Sequence, residues 1–241
     1  MGRLAWALFI IAVPMFLVTG SVTWAFNSPG LYNNGFEKYS ISRVSGITDP
    51  DLRQVGADLR SFFNSRDNEP LSVQTRIFGR EQELFNDREV AHMKDVRQLV
   101  RGVYVLLLVS GAYLAAMIAA GFIRQRRRFV EPLARQALRG GGLTLVLLLA
   151  FGVVALTGFD SAFLLFHKLS FANNFWQLDP RTDYLVLIFP QDFWFDTTLW
   201  VAVRAIGGAL ALTVSGSAYL VYRRYDGWQN ALNSLKGAGG A

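Results

Sequence analysis

The sequence predicts an all-α membrane protein: four transmembrane helices, with a small α+β extracytoplasmic domain built from the first and second outside segments. Three observations predict it. Of 241 residues, 52% are apolar. They cluster in four runs, about 4–26, 103–123, 142–159 and 199–222, each near the ~20 residues needed to cross a ~30 Å hydrocarbon layer. Arginine gathers between the second and third runs, where Arg124, Arg126, Arg127, Arg128, Arg135 and Arg139 face one acid, Glu131. Finally, there are no cysteines, so a domain outside the cell must be held by packing and by its membrane helices.

The basic residues set the orientation. Arg3 precedes the first run, and Arg223 and Arg224 follow the fourth. By the positive-inside rule these ends and the arginine-rich loop are cytoplasmic, so both termini are in. The chain then divides into helix 1 (1–26), an outside segment with His92 (27–101), helix 2 (102–123) and a basic cytoplasmic loop (124–141). Helix 3 (142–159), an aromatic outside segment with His167 (160–198), helix 4 (199–222) and a cytoplasmic tail (223–241) complete it.

Composition also excludes functions. The net charge of +6 sits at membrane ends, where each arginine gains about 1 kcal/mol from anionic lipid, so no nucleic-acid partner is expected. Without cysteine there is no thiol nucleophile, no Cys-based metal site, and no Cys-linked lipidation of the chain itself.

Taken in order, the first run is longer than the about 7–15 apolar residues of a signal peptide and ends in Trp24 and Phe26, apt as interfacial anchors. It reads as an uncleaved helix, and Pro14 within it is tolerable beside neighbouring helices. Residues 27–30 and 33–35 carry turn chemistry. Tyr39-Ser40-Ile41 suggests a short strand. Thr48-Asp49-Pro50-Asp51 suggests a helix start, and Leu52, Val55, Leu59, Phe62 and Phe63 form a helical apolar stripe to about Asn64. Residues 71–78 and 83–85 suggest a hairpin across Gly79-Arg80.

Asn86 followed by Glu89 is a capping-box pattern, and no proline appears until Pro132. One helix is therefore expected from about Asp87 to about Ile123. The aromatic segment that follows the third run reads mostly as an interfacial belt. Residues 164–169 would continue the third helix, and residues 184–189 suggest a short strand ending at Pro190. A small Gly/Ala tail closes the chain.

The chain has two histidines, His92 and His167. Each alone is explained as an ordinary surface or interfacial residue. Together they stand out, because the topology puts both outside, each a short way above a membrane helix. Glu89 and Asp95 flank His92 at helical spacing, which predicts a fixed tautomer and a raised pKa. Two imidazoles at one lipid–water depth suit acid–base work on an ester or amine. Arg204 lies inside the last apolar run, either snorkelling to the surface or facing the bundle interior to bind a polar group. A zinc site would need a third ligand from Glu89, Asp95 or Asp179, and no HExxH-type spacing occurs, so no metal is expected.

Phe85-Asn86-Asp87-Arg88-Glu89-Val90-x-His92-Met93-x-Asp95-Val96 resembles the first signature of a bacterial family of four-helix membrane proteins. Phe166-His167-x-x-Ser170-Phe171-x-Asn173-Asn174-x-Trp176-x-Leu178-Asp179-Pro180 resembles its second, and Ile188-Phe189-Pro190-x-x-Phe193-Trp194 the block after it. Characterised members are lipoprotein intramolecular transacylases of Gram-positive bacteria. The resemblance implies transfer of an acyl chain from the sn-2 position of a diacylglyceryl group to the α-amine of the same lipoprotein's N-terminal Cys, giving the lyso form. The family's two essential histidines would fall on His92 and His167. Arg88, Asn174, Trp176 and Asp179 lie in the signatures and, with Glu89, Asp95 and Arg204, are expected to support the reaction or bind substrate. This chain departs from the pattern with Ser170 and Ala172 in place of a more aromatic stretch.

The implied partners are diacylglyceryl-modified lipoproteins and the lipid bilayer, with no cofactor. The chain is expected as a monomer in the bacterial cell membrane, its active site facing outside. The residues agree with the chemistry. Ester-to-amide transfer within one molecule needs no enzyme nucleophile, because the amine attacks. A histidine base would contribute roughly 10²–10⁴-fold, and the second histidine or Arg204 would stabilise the oxyanion. Two other classes stay open at this point: a metal-dependent lipid-surface hydrolase, and a non-catalytic tetraspan scaffold.

Overall fold

The computed structural model describes residues 2–66 and 69–238; the end of the Gly/Ala tail lies outside the described residues. The protein is mostly helical, in the order α1 (Arg3–Asn27), α2 (Pro29–Lys38), α3 (Ile41–Ser45), α4 (Asp49–Asn64), β1 (Gln74–Ile77), β2 (Arg80–Glu83), α5 (Asp87–Gln125), a 3₁₀ turn (Arg126–Phe129), α6 (Val130–Ser170), α7 (Tyr184–Ile188) and α8 (Gln191–Ala238). Among the described residues, three helical stretches are long and apolar enough to cross a membrane: Arg3–Asn27, Asp87–Ser170 and Gln191–Gln229. The middle stretch holds both the second and third apolar runs, and Arg126 breaks it with a left-handed backbone (φ 50°). The chain forms two compact units.

The first unit comprises Met1–Val18, Leu106–Ala150 and Arg204–Ala241. Its helices meet through small residues and a few polar ties, as expected where lipid removes the hydrophobic drive between helices. A Cβ on Gly216 of α8 would lie 2.7 Å from the Ala134 carbonyl oxygen of α6. The Tyr113 hydroxyl of α5 donates to the Ala5 carbonyl of α1 at 2.8 Å.

The second unit comprises Thr19–Val105 and Phe151–Val203, and it contains an aromatic core. The α4 stripe behaves as its spacing dictates. Thr48 caps the helix, and Leu52, Val55 and Leu59 are no more than 1% exposed, each burial stabilising by about 1.5–3 kcal/mol. They join Tyr32, Phe36, Ile188, Phe189 and Phe193 in one cluster.

Several local expectations are corrected. Residues 33–35 lie within α2, which starts directly at Pro29 behind the Ser28 cap. Gly35 is there for closeness: a Cβ would meet the Phe193 ring at 2.5 Å. Tyr39-Ser40-Ile41 is no strand, because Ser40 is left-handed (φ 51°) and Ile41 opens α3. Residues 184–189 form the helical turn α7 instead of a strand. Leu185, Ile188 and Phe189 are the buried ones, an i, i+3, i+4 set that a two-residue alternation cannot bury together. The hairpin exists in a shifted register, with Ile77 opposite Arg80 and Gln74 opposite Glu83. Its turn residues Phe78 and Gly79 both have positive φ (48° and 80°), as a two-residue type I′ turn demands.

Candidate active site

The second unit brings the two histidines together. His92 lies in the second turn of α5, whose N-terminus is a complete capping box. Asn86 Oδ1 accepts the Arg88 and Glu89 backbone N–H groups at 3.0 and 3.1 Å, and Glu89 Oε2 accepts the Asn86 N–H at 2.8 Å. Phe85, just before the cap, is buried in the core and holds the entry of the helix. His167 lies in the last turn of α6, beyond a non-helical residue at Gly158. The ring centroids of His92 and His167 are 6.1 Å apart, tilted by 34°.

Aromatic rings enclose the pair. Phe171 contacts both imidazoles, at 5.0 Å from His92 and 5.7 Å from His167. Phe163, Phe166 and Trp176 stand at 4.4, 5.3 and 5.3 Å from His167. These side chains were expected to form an interfacial belt, yet Phe163 and Phe171 sit four residues either side of His167 in sequence. On a continuing helix that spacing shares its face, and it was the signal available.

The two imidazoles differ in what they touch. His167 Nδ1 is 2.7 Å from the Phe163 carbonyl oxygen. A carbonyl only accepts, so neutral His167 carries its proton on Nδ1 and presents the Nε2 lone pair. His92 is 7% exposed, and its Nδ1 has no hydrogen-bond partner among the described residues.

Electrostatics correct the expectation of a raised His92 pKa. Burial, then the nearby His167, pull it down to about 4, with Asp95 opposing weakly. His167 is also lowered, mainly by burial, with the Phe163 carbonyl opposing. Glu89 does not pair with His92. Its carboxylate is turned to the Asn86 N–H and, through Oε1 at 2.6 Å, to the Leu185 N–H at the start of α7. It is 1% exposed, and burial holds its carboxyl above the usual range while both N–H groups oppose the rise.

Asp95 acts as a tie. Its Oδ2 accepts from Asn173 Nδ2 at 2.7 Å, joining the helix of His92 to the loop after His167. Asn173 also accepts the Trp176 indole N–H on its carbonyl (2.8 Å), which fixes the ring beside His167. Arg88 donates to the Asn174 carbonyl at 2.9 Å. Asn86 Nδ2 donates to Asp183 Oδ1, and Asp183 Oδ2 accepts the Asp179 N–H. Asn173 and Asp183 were missed in sequence because the α5-side partners they tie to, Asp95 and Asn86, lie far away in the chain. Asp179 itself pairs with Arg181 at 2.7 Å, which pulls its carboxyl down to about 2. Arg204 belongs to the first unit, where it is exposed on α8.

Among the described residues, no three His, Asp or Glu side chains gather as a metal-holding group. What the arrangement offers is two neutral imidazoles among aromatic rings, His92 buried and His167 half-buried. One has a lone pair directed by its tautomer, the other an uncommitted ring nitrogen. That set can move a proton and steady a developing negative charge.

Comparison with known proteins bears on the family and the fold. A protein from Aquifex aeolicus, described as uncharacterized, is 34% identical over 123 residues, covering 49% of this chain; the match spans 50% of that relative's own length. The solved structure of the membrane integral lipoprotein intramolecular transacylase Lit from Bacillus cereus superposes with a TM-score of 0.77 at 17% identity, covering 92% of this chain and 97% of that one. A variant of the same protein with a histidine-to-arginine substitution gives 0.73 at 15% identity, over 93% and 94%. The sequence profile described as Lipoprotein intramolecular transacylase Lit matches residues 7–194, most of the chain, and the protein is therefore a member of the lipoprotein intramolecular transacylase family.

Proposed function

We propose that the protein moves the sn-2 acyl chain of a diacylglyceryl-modified lipoprotein to the α-amine of the same lipoprotein's N-terminal Cys. The observation that carries this reading is the pairing of His92 and His167 at 6.1 Å inside an aromatic enclosure. In this reaction the amine nitrogen bonds to the ester carbonyl carbon, and the carbonyl–glycerol oxygen bond breaks. One proton leaves the amine and one arrives on the sn-2 oxygen, so a single base can carry it across.

His167 is the base in this scheme, since its Nδ1 proton is held by Phe163 and its Nε2 is available. His92 serves the oxyanion by donating a ring N–H. Its lowered pKa keeps it neutral near pH 7, which leaves exactly one of its nitrogens protonated. Joining amine and ester in one narrow site supplies several kcal/mol of the barrier. Phe163, Phe166, Phe171 and Trp176 provide the apolar surface along which an acyl chain would lie.

The four apolar runs each span the membrane once in this proposal, with both termini cytoplasmic and both histidines outside. The distribution of arginine supports it. Mass spectrometry of lipoprotein N-termini from a lipoprotein-bearing host, with and without the gene, tests the function. The expected result is conversion of the diacylglyceryl form to a product of equal mass, with the N-terminal Cys acylated and the sn-2 hydroxyl free. An unchanged N-terminus would reject it, and net loss of an acyl group would indicate hydrolysis instead.

A further inference from the structure

The turn between α5 and α6 carries a charge cluster that the chemistry around the histidines does not use. Arg124, Arg126, Arg127 and Arg128 are all exposed. With Gln125 they line a concavity of about 790 Å³. Among the described residues, none of the four is paired with a carboxylate. The one acid in the segment, Glu131, is taken by Arg135 at 2.5 Å, and Arg139 donates to Gln136 at 3.4 Å. The segment thus contains an ion-paired Arg135 and an amide-bound Arg139 on α6, and arginines around the concavity that no carboxylate pairs among the described residues.

The turn is also fixed in place. Phe129, its last residue, is fully buried, stacked on Trp6 at 5.8 Å and edge-on to Phe122 at 5.3 Å. Its ring occupies the space that a Cβ on Gly121 would need, at 2.2 Å. Glycine at 121 is therefore what lets the ring in. With Phe129 anchored, the backbone reverses through left-handed Arg126 (φ 50°). The guanidinium groups are consequently displayed on a short, pinned turn directly at the end of an apolar helical run.

A guanidinium fork matches two phosphate oxygens at once, and basic residues at a membrane end stand at headgroup depth. We infer that this turn is a binding site for the phosphate of an anionic phospholipid, with Arg124, Arg126, Arg127 and Arg128 as its donors. A merely basic loop would attract acidic lipid in proportion to its total charge, whichever arginines carried it. A site depends on which arginines are present. The assignment stands apart from the acyl-transfer reading and needs only that the protein sits in a bilayer.

The test uses the full chain in nanodiscs of dioleoylphosphatidylcholine containing a graded fraction of dioleoylphosphatidylglycerol, with retained lipid counted by native mass spectrometry. Two double variants remove the same charge: Arg127→Gln with Arg128→Gln, and Arg135→Gln with Arg139→Gln. The first should weaken phosphatidylglycerol retention about tenfold and the second less than about twofold. Equal losses would overturn the site in favour of diffuse attraction, and no loss would overturn it outright. Both doubles should unfold at the parent temperature in pure phosphatidylcholine. A fall confined to the first would overturn the assignment by giving those arginines a structural role. Release of the lipid by inorganic phosphate would overturn the lipid as occupant.

Discussion

Asn173 donates to Asp95 at 2.7 Å, and this bond, beside that from Arg88 to the Asn174 carbonyl, joins the helix that carries His92 to the loop that follows His167. It is charge-assisted and half-buried, so it is worth about 1.5–3 kcal/mol if one partner is removed. Asp95→Ala and Asn173→Ala should each lower the rate of acyl transfer substantially, and the double variant should be no worse than the poorer single. A double-mutant cycle on the initial rate measures this; strictly additive losses would mean that the bond does not position the site.

The histidines should behave as one unit. His92→Ala and His167→Ala should each remove most of the activity, and the double change little more than the worse single one. If either residue tolerates Gln with less than about a tenfold loss, equivalent to ~1.4 kcal/mol, it is not part of the proton path.

Acid should destabilise the protein through His92. Its folded-state pKa is about 4 against an ordinary 6.5, so between those values the unfolded chain binds more protons and stability falls as pH falls. The loss approaches at most about 3 kcal/mol below pH 4. Glu89, with a raised carboxyl pKa, acts in the opposite sense above pH 4.5. The difference in unfolding free energy between the parent and His92→Phe isolates the histidine, and it should shrink from pH 7 to pH 4. A pH-independent difference would contradict the neutral, buried imidazole.

Glu89→Gln should damage stability more than it shifts the pH–rate profile. The carboxylate accepts two backbone N–H groups, from Asn86 and Leu185. An amide offers one oxygen and turns an NH₂ towards the other, a cost of about 1–3 kcal/mol. Thermal unfolding beside a pH–rate curve decides; a displaced acid limb with an unchanged melting temperature would restore the direct pairing with His92.

The capping box, the α4 stripe and the long α5 helix were legible because each rests on residues within one or two turns of one another. The histidine pair was legible as a topological coincidence, since each lies just beyond an apolar run. The direction of Glu89 was not. Spacing alone put it on the His92 face, while the group that captures it, the Leu185 N–H, belongs to a turn distant in sequence. The same remoteness hid Asn173 and Asp183. At residues 184–188 an unbroken apolar run fits either period, and tertiary burial of Leu185 with Ile188 selected the helix.

Topology has a direct check. With both termini inside, Lys236→Cys should label only after permeabilisation, and Ser65→Cys in intact cells. Labelling of Lys236→Cys in sealed cells would reverse the orientation.

The bond from Leu185 to Glu89 crosses 96 positions of sequence. During synthesis the first helix turn of α5 is therefore complete long before its buried carboxylate has all its partners. The arginine turn and the third apolar run must both leave the ribosome in between. Until α7 emerges, Glu89 satisfies only the Asn86 N–H, and until residue 171 emerges the seat of His92 lacks the Phe171 ring that closes it. Assembly of the histidine pair is thus a late event in biogenesis, and a nascent chain halted before residue 171 should hold the membrane without the closed pair.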